Sequence, residues 1–216
     1  MNDGSFTVKG FLEVKKDKPK YKQIIDAAVV VIAENGYHQS QVSKIAKQAG
    51  VADGTIYLYF KNKESILISL FEEKMGHFTE KIREEIKGNK TSIEKLLKLI
   101  ETHFLLLSED YNLAIVTQLE LRQTNLDLRL KINEVLKEYL HIIDSILIEG
   151  VQSGEFDPIL NIRIARKMIF GTIDEVLTHW VMSGHKQSLV DKARDVHHLL
   201  IRGCGYRQED SRLLEQ

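Results

Sequence analysis

The side chains best suited to acid–base or metal chemistry lie in the last quarter of this 216-residue chain. Asp174 and Glu175 precede His179, and His197 is followed directly by His198. Adjacent histidines on a helix point about 100° apart, which suits a single metal ion poorly. The chain contains no zinc-protease, serine-hydrolase or phosphate-loop motif and no paired-cysteine spacing. The sequence therefore predicts neither an enzyme nor a metal site.

A second group of polar side chains, between residues 40 and 63, is suited to binding phosphate. Lysine ammonium groups and the hydroxyls of serine and tyrosine bond phosphate oxygens, and small residues let a helix start come close to a duplex. Tyrosine is also common in protein cores, so Tyr57 and Tyr59 could instead be core residues that do not contact DNA. The charge distribution agrees with phosphate contact at one end of the molecule. Residues 1–63 hold ten Lys/Arg and six Asp/Glu, whereas the remainder holds twenty and twenty-five.

Two short helices joined by a tight turn are predicted to position these side chains. Ser40 can cap the first helix, Gly50 can end it in a left-handed backbone conformation, and Asp53 opens the second. The apolar residues of the first helix recur at helical spacing on one face: Val42, Ile45, Ala46 and Ala49. A helix, a short turn containing glycine and a second helix form the motif that reads the major groove of DNA.

The run G-Y-H-Q-S-Q-V-S-K-I-A-K-Q-A-G-V-A-D-G-T-I-Y-L-Y-F-K-N-K-E, Gly36 to Glu64, resembles the DNA-binding domain of TetR-type bacterial repressors. The resemblance implies a double-stranded DNA operator as partner, and a homodimer, because two-fold operators need two such domains. The family usually has Ser or Thr where this chain has Ala52, so Asp53 is expected to substitute as the cap. The DNA contacts that the resemblance implies are Ser40, Gln41, Lys44, Gly54, Thr55, Tyr57, Tyr59 and Lys63.

The composition and the turn signals predict an all-α chain of about nine helices. We expect a three-helix head with the helix-turn-helix and a larger helical body for ligand binding and dimerisation. The predicted boundaries are a mobile tail at 1–18, the head at 19–65, the body at 66–203 and a frayed tail at 204–216.

One cysteine, Cys204, excludes an internal disulfide and fits a reducing, cytoplasmic compartment. No run of residues is apolar for long enough to span a bilayer, so no membrane partner is expected.

Two segments of the body, Asn112 to Arg122 and Arg166 to Glu175, resemble the TetR-type repressors of fatty-acid degradation in bacilli. The resemblance implies repression of β-oxidation genes, long-chain acyl-CoA as the effector that releases DNA, and no cofactor. An acyl tail needs an apolar tunnel, and CoA phosphates suit arginine. The same residues would also serve as helical core and surface charge. The expected ligand contacts are Phe104, Leu107, Ile115, Gln118, Leu119, Arg122, Arg129, Arg166, Met168 and Gly171.

The last two predicted helices carry enough apolar surface for a four-helix dimer seam, although an intramolecular core would have the same pattern. The DNA symmetry favours the dimer. The residues expected in the seam are Phe170, Ile173, Leu177, Trp180, Val196, Leu199 and Leu200.

Two other functions remain open from the sequence. A TetR-type repressor that responds to a drug-like or other hydrophobic cation would need carboxylates in its cavity, and Glu120, Asp174 and Glu175 are the candidates. A more distant alternative is an acyl-CoA carrier or hydrolase, which would turn over thioesters without binding a specific operator.

Overall fold

The computed structural model describes residues 19–206, and within that range the chain forms nine α-helices and one 3₁₀ turn, with no strand. The prediction of an all-α chain of about nine helices is confirmed. The tail expected at 1–18, and residues 207–216 of the tail expected at 204–216, lie outside the described residues. The helices are α1 (Pro19–Gln39), α2 (Val42–Gln48), α3 (Asp53–Tyr59), α4 (Lys63–Ile86), α5 (Ser92–Glu109), α6 (Tyr111–Glu120), α7 (Leu126–Gln152), α8 (Ile162–Met182) and α9 (Ala193–Gly203), with the 3₁₀ turn at Val190–Lys192.

The head, defined as α1 to α3, is closed by apolar residues that recur at helical spacing. Ile45 and Ala46 of α2 and Ile56 of α3 are fully buried, and α2 packs against both α1 and α3. Gly50 ends α2 with φ 62°, as the sequence predicted. Ala52 occupies the N-cap of α3 without a side-chain hydrogen bond, and Asp53 lies in the first turn. Helices α2 and α3 are therefore fixed in the head by the packing of their inner faces, and their outer faces are exposed.

Helix α4 belongs to both the head and the body. Asn62 and Ser65 form a capping box at its start, so the boundary expected at residue 65 falls within its first turn. Thr91 and Glu94 form the capping box that begins α5. Because α4 runs without interruption from Lys63 to Ile86, a change in its tilt moves the head relative to the body.

The body, defined as α4 to α9, encloses its core between these six helices. Helix α4 packs against α5 and α7, α8 packs across α6 and α7, and α9 covers α5. The most extensive contact between separate helices joins α1 of the head to α6 of the body. The head is therefore attached through α6 as well as through the continuous helix α4.

The C-terminal end of the described chain is more ordered than the tail expected from residue 204. Cys204 is fully buried, and its carbonyl accepts a hydrogen bond from the Asp157 backbone N–H at 2.9 Å. The Tyr206 N–H donates to the Ile201 carbonyl at 3.1 Å. The expectation of a frayed chain from Cys204 is thus wrong for residues 204–206, because the loop after α7 packs against them. Burial also raises the pKa of the Cys204 thiol to about 11, which keeps it protonated.

Within residues 19–206, no helix is long and apolar enough to cross a membrane. In the same range, no three His, Cys, Asp or Glu residues are grouped so that they could hold a metal ion.

Candidate DNA-binding surface and effector cavity

The outer face of α3 is the most open surface of the head. Tyr57 is 58% exposed, and nothing lies within 4 Å of the position that a Cβ would take at Gly54. Thr55 is half-buried beside them, while Gln41 and Lys44 are exposed on the α2 side. All five of these predicted DNA contacts are at least partly exposed, so each of them is accessible to a duplex.

Ser40 does not belong to that surface. Only 1% of this residue is exposed, and its hydroxyl donates to the carbonyls of Gly36 at 2.7 Å and Val31 at 3.1 Å. Gln41, rather than Ser40, occupies the N-cap of α2. The prediction that Ser40 caps α2 and holds a phosphate is wrong, because its side chain points back into α1 and stabilises the turn between the two helices.

Tyr59 has features of both roles considered for it, which are a phosphate contact and a core residue. It is half-buried and packs against the core of the head, with its ring centroid 6.4 Å from that of Phe60. It remains a candidate phosphate contact through its partial exposure.

Lys63 has a structural role that the sequence did not predict. Its ammonium group donates to the carbonyls of Tyr37 at 3.0 Å and His38 at 3.1 Å. It also lies 4.5 Å from the centroid of the Tyr37 ring, where a cation is attracted by the aromatic face. Lys63 therefore ties the start of α4 to the end of α1.

The two lysines at the head should respond differently to substitution. Lys44 is exposed, and its ammonium bonds only the Asn35 side chain among residues 19–206. We expect Lys44→Ala to reduce the slope of log affinity for operator DNA against log salt by about one, because one phosphate loses its cation. Lys63→Ala should instead lower the thermal stability and leave the slope unchanged. An equal fall in slope for both variants would place Lys63 on a phosphate as well.

The end of α6 makes a buried contact with the head. The Glu120 carboxylate accepts the backbone N–H of Tyr37 at 2.8 Å through Oε1, and its Oε2 accepts from the Gln123 side chain at 2.5 Å. Gly36 adopts φ 72° and ψ 156°, a backbone region open to glycine, and this bend presents the next N–H to Glu120. Tyr37 is thus held by Glu120 of α6 through its N–H and by Lys63 of α4 through its carbonyl.

A narrow apolar cavity of about 30 Å³ lies between α4, α5, α6, α7 and α8. This volume is close to the share of one water molecule in the liquid. Near its α6 side, the Thr178 hydroxyl bonds the Gln118 side chain at 2.8 Å and donates to the backbone carbonyl of Asp174 at 2.8 Å. The cavity is lined by Phe71, Met75, Phe78, His103, Leu107, Thr117, Gln118, Leu121, Leu136, Tyr139, Phe170 and Asp174.

A larger and more open cavity of about 560 Å³ adjoins the apolar one. The two share Leu121, Leu136 and Phe170, so these three residues lie at the boundary between the cavities and are called the neck. The remaining lining of the open cavity is polar or basic except for Leu140, and it consists of Arg122, Arg129, Asn133, Lys137, Leu140, His141 and Arg166.

Two of the three arginines in this basic cavity are held by aspartates. Arg122 pairs with Asp174, and Arg166 donates to Asp144 at 2.6 Å. Arg129 makes no ion pair with any residue from 19 to 206, so its charge is available to an anion.

The pairing of Arg122 with Asp174 also bears on the alternative of a cationic ligand, because the Asp174 charge is already compensated by Arg122. Glu175, the third carboxylate considered for that alternative, is exposed outside both cavities.

Half of the predicted ligand contacts lie in the two cavities. Leu107 and Gln118 line the apolar cavity, and Arg122, Arg129 and Arg166 line the basic one.

The other predicted ligand contacts are wrong in this conformation, for reasons that differ. Phe104 is fully buried as core beside His103, and Ile115 packs against the core away from the cavities. Leu119 is 50% exposed. Met168 lies against α9, since a Cβ at Gly203 would be 2.9 Å from its sulfur. Gly171 is exposed with nothing near it, so it removes no bulk from a tunnel.

Sequence reasoning missed most of the cavity lining. Phe71, Met75 and Phe78 of α4 line the apolar cavity, as do Leu136 and Tyr139 of α7, and none of them is among the predicted ligand contacts. A spacing of three or four residues marks these positions as inward-facing but does not separate a cavity wall from solid core. The helical period therefore could have found the face, but not the cavity.

The predicted dimer residues are mostly core of a single chain. Ile173 and Leu177 have no exposed surface, and Trp180, Val196 and Leu200 are buried as well. Phe170 lines both cavities. Only Leu199, 68% exposed, is placed to meet a second copy. The seam assignment is wrong for the buried residues, because the inner faces of α8 and α9 pack against α5, α6 and α7.

Two family models match consecutive parts of the chain. Residues 24–70 match the bacterial regulatory proteins of the tetR family, and residues 71–203 match the YsiA-like protein, C-terminal region. The division between them falls within α4.

Similar proteins agree with these matches over nearly their whole length. The fatty acid metabolism regulator protein of Bacillus subtilis (strain 168) is 67% identical over 190 residues, which cover 88% of this chain and 98% of that protein. The crystal structure of the transcriptional regulator FadR from Bacillus subtilis in complex with stearoyl-CoA aligns with a TM-score of 0.83 and 68% identity, over 85% of this chain and 98% of that one. The fatty acid degradation regulator FadR from Bacillus halodurans aligns with a TM-score of 0.81 and 61% identity, over 84% and 97%.

Proposed function

Because the chain belongs to the TetR family of bacterial regulatory proteins, we propose that it is a homodimeric repressor of fatty-acid degradation genes. In this proposal α2 and α3 bind operator DNA, and a long-chain acyl-CoA bound in the body releases it. The proposal is supported by two independent features of the body, which are the paired cavities and the contact between α6 and the head.

The main support for acyl-CoA as the effector is that the apolar cavity and the basic cavity adjoin each other. An apolar cavity suits a hydrocarbon tail, and the adjoining basic cavity suits phosphates. Few metabolites have a long apolar tail joined to a highly anionic head, and acyl-CoA has both. The shared neck of Leu121, Leu136 and Phe170 would then surround the region where tail and head meet. The similarity to a FadR that was solved in complex with stearoyl-CoA supports the same effector for this chain.

The small volume of the apolar cavity suggests how binding reaches the head. A long acyl chain cannot fit into about 30 Å³, so its lining helices must move apart. That lining includes Phe71, Met75 and Phe78 of α4 and Gln118 of α6. Helix α4 begins at the head, and α6 ends at the Glu120 contact with Tyr37. An acyl chain therefore favours a conformation in which the head is held differently, and DNA favours the conformation described here.

A second copy of the chain is expected to cover the outer face of α8 and α9. Ile164, Met182 and Leu199 are 60%, 70% and 68% exposed, and Gly171 leaves open space between the first two on α8. Ile164, Gly171 and Met182 follow one face of α8 at helical spacing, and exposed apolar side chains along one face suit an interaction site. A dimer formed through this face would present two heads to half-sites about 34–36 Å apart or a multiple of that.

Release of DNA by the intact thioester is the expected result that tests this function. The protein bound to an operator selected from random sequence is titrated with palmitoyl-CoA, palmitate or free CoA, and bound DNA is measured by fluorescence anisotropy. We expect palmitoyl-CoA alone to release the DNA, because only it occupies both cavities. Release by palmitate to the same extent would remove the basic cavity from the site. Retention of DNA with all three compounds would contradict the proposed effector.

A further inference from the structure

A polar pair lies inside the otherwise aromatic part of the apolar cavity. His103 of α5 and Tyr139 of α7 both line it, and the distance from His103 Nδ1 to the Tyr139 hydroxyl is 2.8 Å. The two residues are only 6% and 1% exposed. The ring centroid of Phe78 lies 4.9 Å from that of His103, and the centroid of Phe170 lies 6.1 Å from that of Tyr139. Such a pair is costly to bury unless its hydrogen-bonding groups are used.

Both members of the pair are neutral at physiological pH. Burial lowers the pKa of His103 to about 3, and burial together with the nearby Asp174 raises the pKa of Tyr139. The neutral imidazole carries one proton and the phenol carries one. If the phenol donates to Nδ1, the N–H at Nε2 of His103 remains without an acceptor. If Nδ1 donates to the phenol oxygen, the O–H of Tyr139 remains without an acceptor. In either arrangement one donor remains after the mutual bond is made.

No other side chain or carbonyl from residues 19 to 206 accepts that remaining donor, since the mutual bond is the only hydrogen bond made by either side chain in this range. Because both residues line the cavity, a ligand inside it can supply the acceptor. A neutral acceptor suits the site, because a buried carboxylate would lack a compensating cation there. A carbonyl oxygen accepts a hydrogen bond and is uncharged, so it suits the site, whereas a hydrocarbon chain offers no acceptor at all.

The pair lies beside the neck between the two cavities. Tyr139 follows Leu136 by three residues on α7, so both point to the same side of the helix. Phe170, the ring next to Tyr139, is another of the three neck residues. In an acyl-CoA, the thioester carbonyl stands where the apolar tail is joined to the CoA arm. We propose that the His103–Tyr139 pair donates a hydrogen bond to this thioester carbonyl and so selects acyl-CoA over other CoA derivatives with the same tail.

This inference rests on the proposed function and deepens it by naming the group that is recognised. The test compares palmitoyl-CoA with S-hexadecyl-CoA, a thioether that has the same tail and head but no carbonyl. Dissociation constants are measured by calorimetry with the full-length protein. We expect the wild type to bind the thioester about five-fold more tightly, which corresponds to one hydrogen bond between neutral groups.

The double variant His103→Phe/Tyr139→Phe removes both donors and should bind the two compounds equally. Either single variant leaves one donor in the cavity, so the double variant is the informative one. Replacing both partners by apolar groups of similar shape is nearly neutral for stability, so this variant is expected to fold. Phe78→Leu is the matched control, because it alters the same cavity without changing a donor and should preserve the preference for the thioester.

Equal affinity of the wild type for both compounds would overturn the inference and leave the proposed function intact, and this result does not depend on any variant folding. A preference that persists in the double variant would also overturn it. If neither compound binds, the proposed function fails and the inference fails with it.

Discussion

Replacement of Glu120 with alanine is expected to weaken operator binding by roughly ten-fold in the absence of any effector. The carboxylate holds the buried N–H of Tyr37 at 2.8 Å, between residues 83 apart in the chain. Without it, that N–H loses its partner, and leaving a buried donor unsatisfied costs about 1–3 kcal/mol. The head then loses one of its fixed contacts with α6, so the conformation that binds DNA becomes less populated. Binding to the selected operator and the midpoint of urea unfolding are the two measurements.

Glu120→Gln is the matched comparison for this prediction. The amide oxygen can still accept the Tyr37 N–H, so its operator affinity should stay nearer to that of the wild type. Glu175→Ala provides a second control, since this exposed glutamate of α8 lies outside the contact between head and body. A folded Glu120→Ala protein that binds operator as tightly as the wild type would remove this contact from the mechanism.

The second large effect is expected for Arg129→Ala, which should raise the palmitoyl-CoA concentration needed for half-release by about ten-fold. Arg129 lines the basic cavity and has no ion-pair partner between residues 19 and 206, so a phosphate can use its full charge. A hydrogen bond to a charged group contributes about 1.5–3 kcal/mol, which corresponds to at least a ten-fold change in affinity. Operator affinity without effector should not change, because α7, which carries Arg129, packs on α4, α5 and α8 rather than on α2 and α3.

Arg122 and Arg166 are poorer test positions, although they line the same cavity. Removing Arg122 leaves the buried Asp174 unpaired, and removing Arg166 does the same to Asp144, whose Oδ1 already lacks a hydrogen-bond partner. A weaker response in those variants would mix loss of a phosphate contact with local destabilisation. Arg194→Ala on α9 is the matched control for Arg129, because it removes an exposed arginine outside both cavities. An identical titration for Arg129→Ala and the wild type would place the CoA phosphates elsewhere.

The local structure of this chain could be predicted because its signals act over a few residues. Thr91 and Glu94 lie three residues apart, and their capping box begins α5. Gly50 ends α2 for the equally local reason that glycine adopts a positive φ without strain. The helix-turn-helix was recognised from one continuous segment, and the exposed positions of Tyr57 and Gly54 agree with it.

The cavity residues could not be separated from the core in the same way. Leu107 and Phe104 both lie on the inward side of α5, yet only Leu107 lines the apolar cavity. Met168 and Gly171 belong to one predicted ligand segment, but Met168 packs on α9 and Gly171 lies at the surface. Apolar periodicity records that a side chain avoids water. It contains no information about whether a neighbouring helix, a cavity or a second chain provides the apolar surroundings.

The amino-acid sequence by itself determined the helices, their caps, the DNA-reading motif and the resemblance to a family, because these depend on neighbouring residues or on whole segments. Only the tertiary structure decided that Glu120 contacts Tyr37 and that His103 meets Tyr139. It also decided that the apolar and basic cavities share one neck. The physical reason is that each of these features joins residues from different helices, and their distance depends on how the helices pack rather than on any local preference of the chain.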